Sequence, residues 1–155
     1  MIVYYQIMKK ISIKKCLIKH INKILEINKN SSFYNWTEQM FMSELNNKNS
    51  SFKILALEDN IIGYIIYSTV LDEAEIINIV IDRKFQQQKY GKYLFQKTIN
   101  ELIKKDIKTI YLEVGQNNNS AINLYLKYGF IIYNQRINYY KNKETAVLMK
   151  KIIKK

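Results

Sequence analysis

Hydrophobic positions along this chain change period in a regular order, and the order predicts a mixed α/β domain. Ile11 and Ile13, with Cys16 beyond them, alternate loosely as in a first strand. Ile18, Ile21, Ile24 and Leu25 then recur at helical spacing, so residues 19–29 read as a helix. A polar stretch over 28–35 follows, and Thr37 is placed to cap a second helix with Met40, Phe41 and Leu45 on its buried stripe. Residues 52–57 read as a strand, 58–60 as a hairpin turn and 61–71 as the partner strand. The run 75–82 is almost continuously apolar, as a central strand covered on both faces would be. A turn over 83–88 leads into a helix over 90–105, with Tyr93, Leu94, Thr98, Leu102 and Ile103 facing inward. A strand over 109–114 precedes a short helix that ends near Tyr128, with Gly129 beyond its C-terminus. Residues 130–133 and 145–149 form the last strand pair. The expected architecture is a twisted mixed sheet of about six or seven strands with helices on both faces.

Composition sets bounds on this picture. A chain of 155 residues, 48% hydrophobic, suits one domain over 1–155 with a real core, residues 1–9 being an extra N-terminal piece and Met8 an alternative start. No apolar run reaches the roughly 18 residues of a membrane helix, and the N-terminus lacks the pattern of a secretory signal. A lone cysteine, Cys16, cannot form an internal disulfide, which fits a reducing cytoplasm; its place among core positions marks it as a small hydrophobe rather than a nucleophile. With one histidine, His20, beside that cysteine, no metal site is expected. The net charge of +12 raises the question of nucleic acid. The excess is lysine spread along the whole chain, however, and the arginines suited to bidentate contacts are Arg83 and Arg136 alone. Biased composition, which extends to a complete lack of proline, explains the charge more simply than a nucleic-acid surface.

Candidate chemistry concentrates between residues 78 and 130. The strand Asn78-Ile79-Val80-Ile81-Asp82 runs into the turn Gln86-Gln87-Gln88-Lys89-Tyr90-Gly91-Lys92, which opens a helix. Backbone N–H groups converge at such a turn, and the helix dipole adds partial positive charge, so phosphates are held there. Glu113 alternates with Leu112 and Val114 and so lies on the opposite face of its strand, where a carboxylate needs work or a partner. Tyr125 lies on the inward stripe Ala121, Leu124, Tyr125, Tyr128. A carboxylate and a phenol are the parts of a general base and a general acid. The chain has 13 tyrosines, so from its stripe alone Tyr125 reads by default as a core residue.

This stretch resembles the GNAT family of acetyl-CoA-dependent N-acetyltransferases, and within it the RimI type that acetylates the N-terminal alanine of a ribosomal protein. The likeness runs from about Ile11 to Met149 and includes Trp36-Thr37-Glu38, Val70-Leu71-Asp72-Glu73-Ala74 and Asn138-Tyr139-Tyr140. It implies Glu113 as general base and Tyr125, four residues before Gly129, as general acid. It implies that acetyl-CoA is held by the backbone of Ile79, Val80 and Ile81, by the turn residues Gln87, Gln88, Lys89, Tyr90, Gly91 and Lys92, and by Asn118. Asn118 also reads as a helix N-cap. The family's turn usually carries glycine where Lys89 stands, a departure expected to weaken or alter coenzyme A binding. Tyr139 and Tyr140 are expected to wall a peptide slot. Asp72 and Glu73, with Glu75, form an acidic cluster that either attracts a cationic peptide N-terminus or is a solvated turn. The implied substrate is the N-terminus of a small-subunit ribosomal protein. Two other readings stay open: a GNAT enzyme for a lysine or small-molecule amine, and a non-enzymatic basic protein that binds ribosome or RNA on the same fold.

Overall fold

Among the described residues, seven strands and four α-helices follow one another in the order the periodicities predict. They are β1 (Ile11–Lys15), α1 (Ile21–Ser31), α2 (Glu38–Asn46), β2 (Ser50–Leu57), β3 (Asn60–Val70), β4 (Glu73–Ile81), α3 (Tyr90–Lys104), β5 (Thr109–Gly115), α4 (Asn119–Lys127), β6 (Ile131–Arg136) and β7 (Ala146–Ile152). The structure is a computed structural model that describes residues 11–154; the expected extension over 1–9 and the alternative start at Met8 lie outside these residues. The sheet order is β1-β2-β3-β4-β5-β7-β6. β4 and β5 run parallel, while β1–β2, β5–β7 and β6–β7 are antiparallel, so the sheet is mixed. The described residues fall into two compact units, one holding 11–67 with Asn78–Thr98 and the other Ser68–Ile77 with 99–154.

The first unit is organised around aromatic packing. Thr37 caps α2 as expected, its hydroxyl accepting from the Met40 amide at 3.3 Å. The buried stripe of this nine-residue helix is narrower than the pattern suggested: Phe41 is fully buried, Leu45 is half-buried and Met40 is 43% exposed. Phe41 packs against Trp36, Phe52 and Tyr64 with ring centroids 5.2, 5.8 and 5.6 Å away. Beneath the rings lies a satisfied polar knot. Buried Asn28 donates to the Tyr64 hydroxyl at 2.9 Å and to the Tyr34 carbonyl at 3.2 Å, and it accepts from the Trp36 amide at 2.9 Å. Asn78 on β4 donates to the same hydroxyl at 3.3 Å. Burial pushes the Tyr64 phenol well above its ordinary range, so it stays a neutral donor and acceptor.

The inner face of α3 is Leu94, Phe95, Thr98, Ile99 and Leu102. Leu94, Thr98 and Leu102 are buried as spacing predicts, whereas Ile103 is 41% exposed and Phe95 and Ile99 complete the stripe. Thr98 is buried without penalty because its hydroxyl donates to the Leu94 carbonyl at 2.9 Å. In the second unit, β5 buries Ile110, Leu112 and Val114 on one face and leaves Tyr111 and Glu113 half-buried on the other. Among the described residues no helix is long and apolar enough to cross a membrane.

Gly63 on β3 sits where a Cβ would lie 2.7 Å from the Val80 carbonyl oxygen and 2.6 Å from Ile81 Cδ1. The close approach of β3 to β4 requires glycine there, because backbone cannot yield as a flexible side chain does. Gly63→Ala is expected to cost about 2 kcal/mol, read as a lowered midpoint in urea unfolding with an unchanged slope.

Candidate active site

The turn between β4 and α3 is built by local hydrogen bonds. Asp82 starts it: its carboxylate accepts from the Lys84 amide at 3.0 Å and its carbonyl from the Phe85 amide at 2.7 Å. Gln86 then folds back, its side-chain amide donating to the Ile81 carbonyl at 2.9 Å. Gln87 and Lys89 take left-handed backbone, with φ of 59° and 68°, while Gln88 between them does not. Alternation of this kind turns successive N–H groups to one side as an anion-binding nest. Lys89 ends the turn by accepting from the Tyr93 amide at 2.9 Å, and the amides of Tyr90, Gly91 and Lys92 form the first helical turn, where N–H groups have no intrahelical acceptor. A Cβ on Gly91 would meet nothing closer than Ile81 Cγ1 at 3.5 Å, so the protein itself does not require glycine there. The ladder of β4 with β5 runs from Glu73↔Thr109 to Ile76↔Leu112, and Ile79, Val80 and Ile81 lie beyond it, with Val80 and Ile81 buried.

In the second unit the structure brings three of the expected site residues together. Glu113 on β5 accepts from the Tyr140 hydroxyl on one carboxylate oxygen at 3.0 Å. Its other oxygen accepts from Arg136 Nη1 at 2.9 Å. The Arg136 guanidinium also lies over the Tyr139 ring, 5.0 Å from its centroid, and Tyr139 meets Tyr140 edge to face at 5.3 Å. Arg136 is the residue that sequence reasoning missed, noticed there only as one of two arginines. Its position depends on a β-bulge at Tyr133. β6 pairs Ile132 with Met149 and then Asn134 with Leu148, so Tyr133 is surplus to the ladder. The shift puts Arg136 beside Ala146, and β7 also pairs Leu148 with Glu113. Glu113 and Arg136 thus share a sheet face on either side of β7, and the small Ala146 leaves room for the arginine to reach across.

Tyr125 is held by the end of α4. Gly129, at φ 80°, lets the Phe130 amide reach the Tyr125 carbonyl at 3.0 Å and the Gly129 amide reach the Leu126 carbonyl at 3.0 Å. This is a Schellman motif, and its usual apolar contact is the Tyr125–Phe130 ring pair at 6.0 Å. Lys151 donates to the Tyr128 carbonyl at 2.7 Å and closes the helix end. Tyr125 is 7% exposed, and burial pushes its phenol up to about 12. At the other end of α4, Asn118 is the N-cap, its side chain accepting from the Ala121 amide at 3.2 Å.

Asp72 and Glu73 have partners within the chain. Lys108 pairs with Asp72 at 2.7 Å and holds its carboxyl below the usual range. The Tyr111 hydroxyl donates to Glu73 at 3.1 Å. Glu73 is level with Thr109 at the start of β5, four residues short of the level of Glu113, or about 13 Å along the strand. Cys16 is 1% exposed and burial pushes its thiol to about 12, so it is the core hydrophobe expected. Neutral His20 accepts from the Leu17 amide at 3.0 Å. A surface hollow ringed by Glu26, Asn30, Asp82, Arg83 and Lys84 contains none of the expected site residues.

Comparison with known proteins decides the family. The family model described as "Acetyltransferase (GNAT) family" matches residues 21–130. The chain belongs to the GNAT acetyltransferase family. A [ribosomal protein bS18]-alanine N-acetyltransferase of Haemophilus ducreyi is 36% identical over 83% of this chain and 90% of its own length. A putative enzyme of the same name from Bacillus subtilis is 30% identical over 90% of this chain and 94% of its own. The crystal structure of the ribosomal-protein-S18-alanine N-acetyltransferase from Escherichia coli superposes with a TM-score of 0.88, at 29% identity, over 94% of this chain and 95% of that one.

Lys89 holds left-handed backbone at φ 68°, where a Cβ costs about 1 kcal/mol. Lys89→Gly is therefore expected to raise stability by up to about 1 kcal/mol, seen as a higher thermal midpoint. Gly129→Ala, at φ 80°, is expected to lower it by about as much.

Proposed function

We propose that this GNAT enzyme is an acetyl-CoA-dependent Nα-acetyltransferase for the N-terminal alanine of the small-subunit ribosomal protein bS18. The observation that carries the substrate is the shared name of relatives 30–38% identical over most of the chain. The residues fit the chemistry. The nest at 87–92 and the first turn of α3 offer amides to a pyrophosphate. The backbone of Ile79, Val80 and Ile81 offers amide partners to the peptide-like pantetheine arm, and Asn118 keeps its second polar atom for the same cofactor. The co-substrate supplies a thioester-activated acetyl group.

An α-ammonium of pKa near ~8 loses a proton readily. Glu113 takes that proton, directly or through water, from the amine that attacks the acetyl carbonyl. Tyr125 donates its phenolic proton to the departing thiolate. With its phenol near 12 it remains protonated at any pH at which the enzyme works. Tyr139, half exposed, and Tyr140 wall the slot for the acceptor peptide. Asp72 and Glu73, occupied by Lys108 and Tyr111, are given structural work at the strand starts rather than acceptor recognition.

Mass spectrometry of a bS18 N-terminal peptide, a lysine peptide and a polyamine after incubation with acetyl-CoA tests the substrate. Modification of the α-amine of the first, and not of the side-chain amines, is the expected result. Glu113→Gln and Tyr125→Phe should each slow turnover by roughly a hundredfold with coenzyme A affinity kept. Gly91→Ala separates binding from folding: it should leave stability unchanged or slightly raised, because alanine is the better helix former, and weaken coenzyme A measurably by calorimetry. The raised phenol of Tyr125 also contributes, with the phenol of buried Tyr64 and the thiol of buried Cys16, to loss of stability at alkaline pH. Its stabilising contribution is complete below its unfolded pKa near ~10 and is lost as pH rises toward about 12. Tyr125→Phe should therefore flatten that part of the stability–pH curve.

A further inference from the structure

The two donors on Glu113 differ in kind. Tyr140 is neutral, whereas Arg136 brings a full positive charge to the oxygen opposite the one Tyr140 holds. The pair is accessible: the Arg136 side chain is 49% exposed and that of Glu113 25%. An amine arriving to be deprotonated by Glu113 comes as a cation and needs the same carboxylate. Each oxygen of a carboxylate with one donor keeps a second lone pair, but the guanidinium charge already sits where an incoming ammonium would be drawn.

We infer that Arg136 is a positioning residue that occupies Glu113 as a stand-in for the acceptor's ammonium and gives way to it. This rests on Glu113 being the base. Arg136 does two opposed things in this arrangement. It aims the carboxylate and, through its contact over the Tyr139 ring, holds that ring in place, both of which favour turnover. It also competes with the incoming cation, which opposes acceptor binding. Tyr139 keeps the guanidinium partnered when it swings off the carboxylate, so the exchange does not strand a charge. The ligand class this selects is a primary amine in its protonated form, and an acceptor lacking positive charge at its end cannot displace the arginine.

Opposed effects predict a split in the kinetic constants that loss of folding would not produce. Arg136→Gln is expected to lower KM for the acceptor peptide roughly fivefold, the size of a partly exposed ion pair. It should lower kcat roughly tenfold, because the base is less well aimed, and leave KM for acetyl-CoA and the thermal midpoint as in the parent. Arg136→Lys, which keeps the charge and loses the planar fork, should restore peptide KM but only part of kcat. In a Glu113→Gln background, Arg136→Gln should leave peptide KM unchanged. An Arg136→Gln enzyme with parental kcat and peptide KM overturns the inference, as does one in which the thermal midpoint and both KM values worsen together. If Glu113→Gln itself turns over at the parental rate, the base assignment fails and this inference with it. A slow Glu113→Gln enzyme beside an Arg136→Gln enzyme of parental kinetics leaves the base in place and removes the inference alone.

Discussion

A carboxylate on the face of a sheet must be answered by donors, because strand backbone spends its own N–H groups on the ladder. Glu113 is that carboxylate here, and much of the second unit is arranged to answer it. β5 cannot supply the donors from its own neighbours, since Leu112 and Val114 point the other way into the core. The donors come instead from the end of β6 and the turn beyond it, carried past β5 by the antiparallel ladder through β7. Inserting β7 between β5 and β6 is what lets a residue 23 positions away in sequence reach the carboxylate from across the sheet. The same hairpin brings the Tyr139–Tyr140 pair to the same place.

The first unit carries the turn between β4 and α3. Its turn satisfies itself at both ends and leaves its middle exposed. Asp82 and Gln86 anchor the beginning onto β4, and Lys89 anchors the end onto α3. The buried knot of Asn28, Tyr64 and Asn78 fixes β4 from below, so the strand that feeds the turn is held by polar as well as apolar contacts. A strand held in this way feeds a turn that stores strain at two left-handed residues, Gln87 and Lys89.

Most element types were legible in the sequence because their signals are local. The switch from period 2 to period 3.6, the cap at Thr37 and the Tyr-x-x-x-Gly-Phe end of α4 each depend on a few adjacent residues. Glu113 was legible for the same reason: a carboxylate between two apolar strand residues stands out. What escaped was tertiary. The inner stripe of α3 was legible at Leu94, Thr98 and Leu102 but not at its edges, where the sheet covers Phe95 and Ile99 rather than Ile103 and spacing does not say which way the stripe widens. The partners of the acidic residues Asp72 and Glu73, Lys108 and Tyr111, stand more than 30 positions later in sequence. Arg136 was invisible as a partner because strand periodicity assigns it to the wrong side once the bulge is overlooked.

That surplus tyrosine has an evolutionary reading. Any side chain in β6 can be exchanged for another without altering which positions look toward the carboxylate, since facing is a matter of odd and even count rather than of identity. Gaining a single codon between the bulge and the hairpin would send glutamine to the place where arginine now reaches, and losing one would send isoleucine there. Apart from Arg136 the segment is thus free to drift in composition while its length is held fixed, and descendants of this gene should differ there by replacement and not by insertion or deletion.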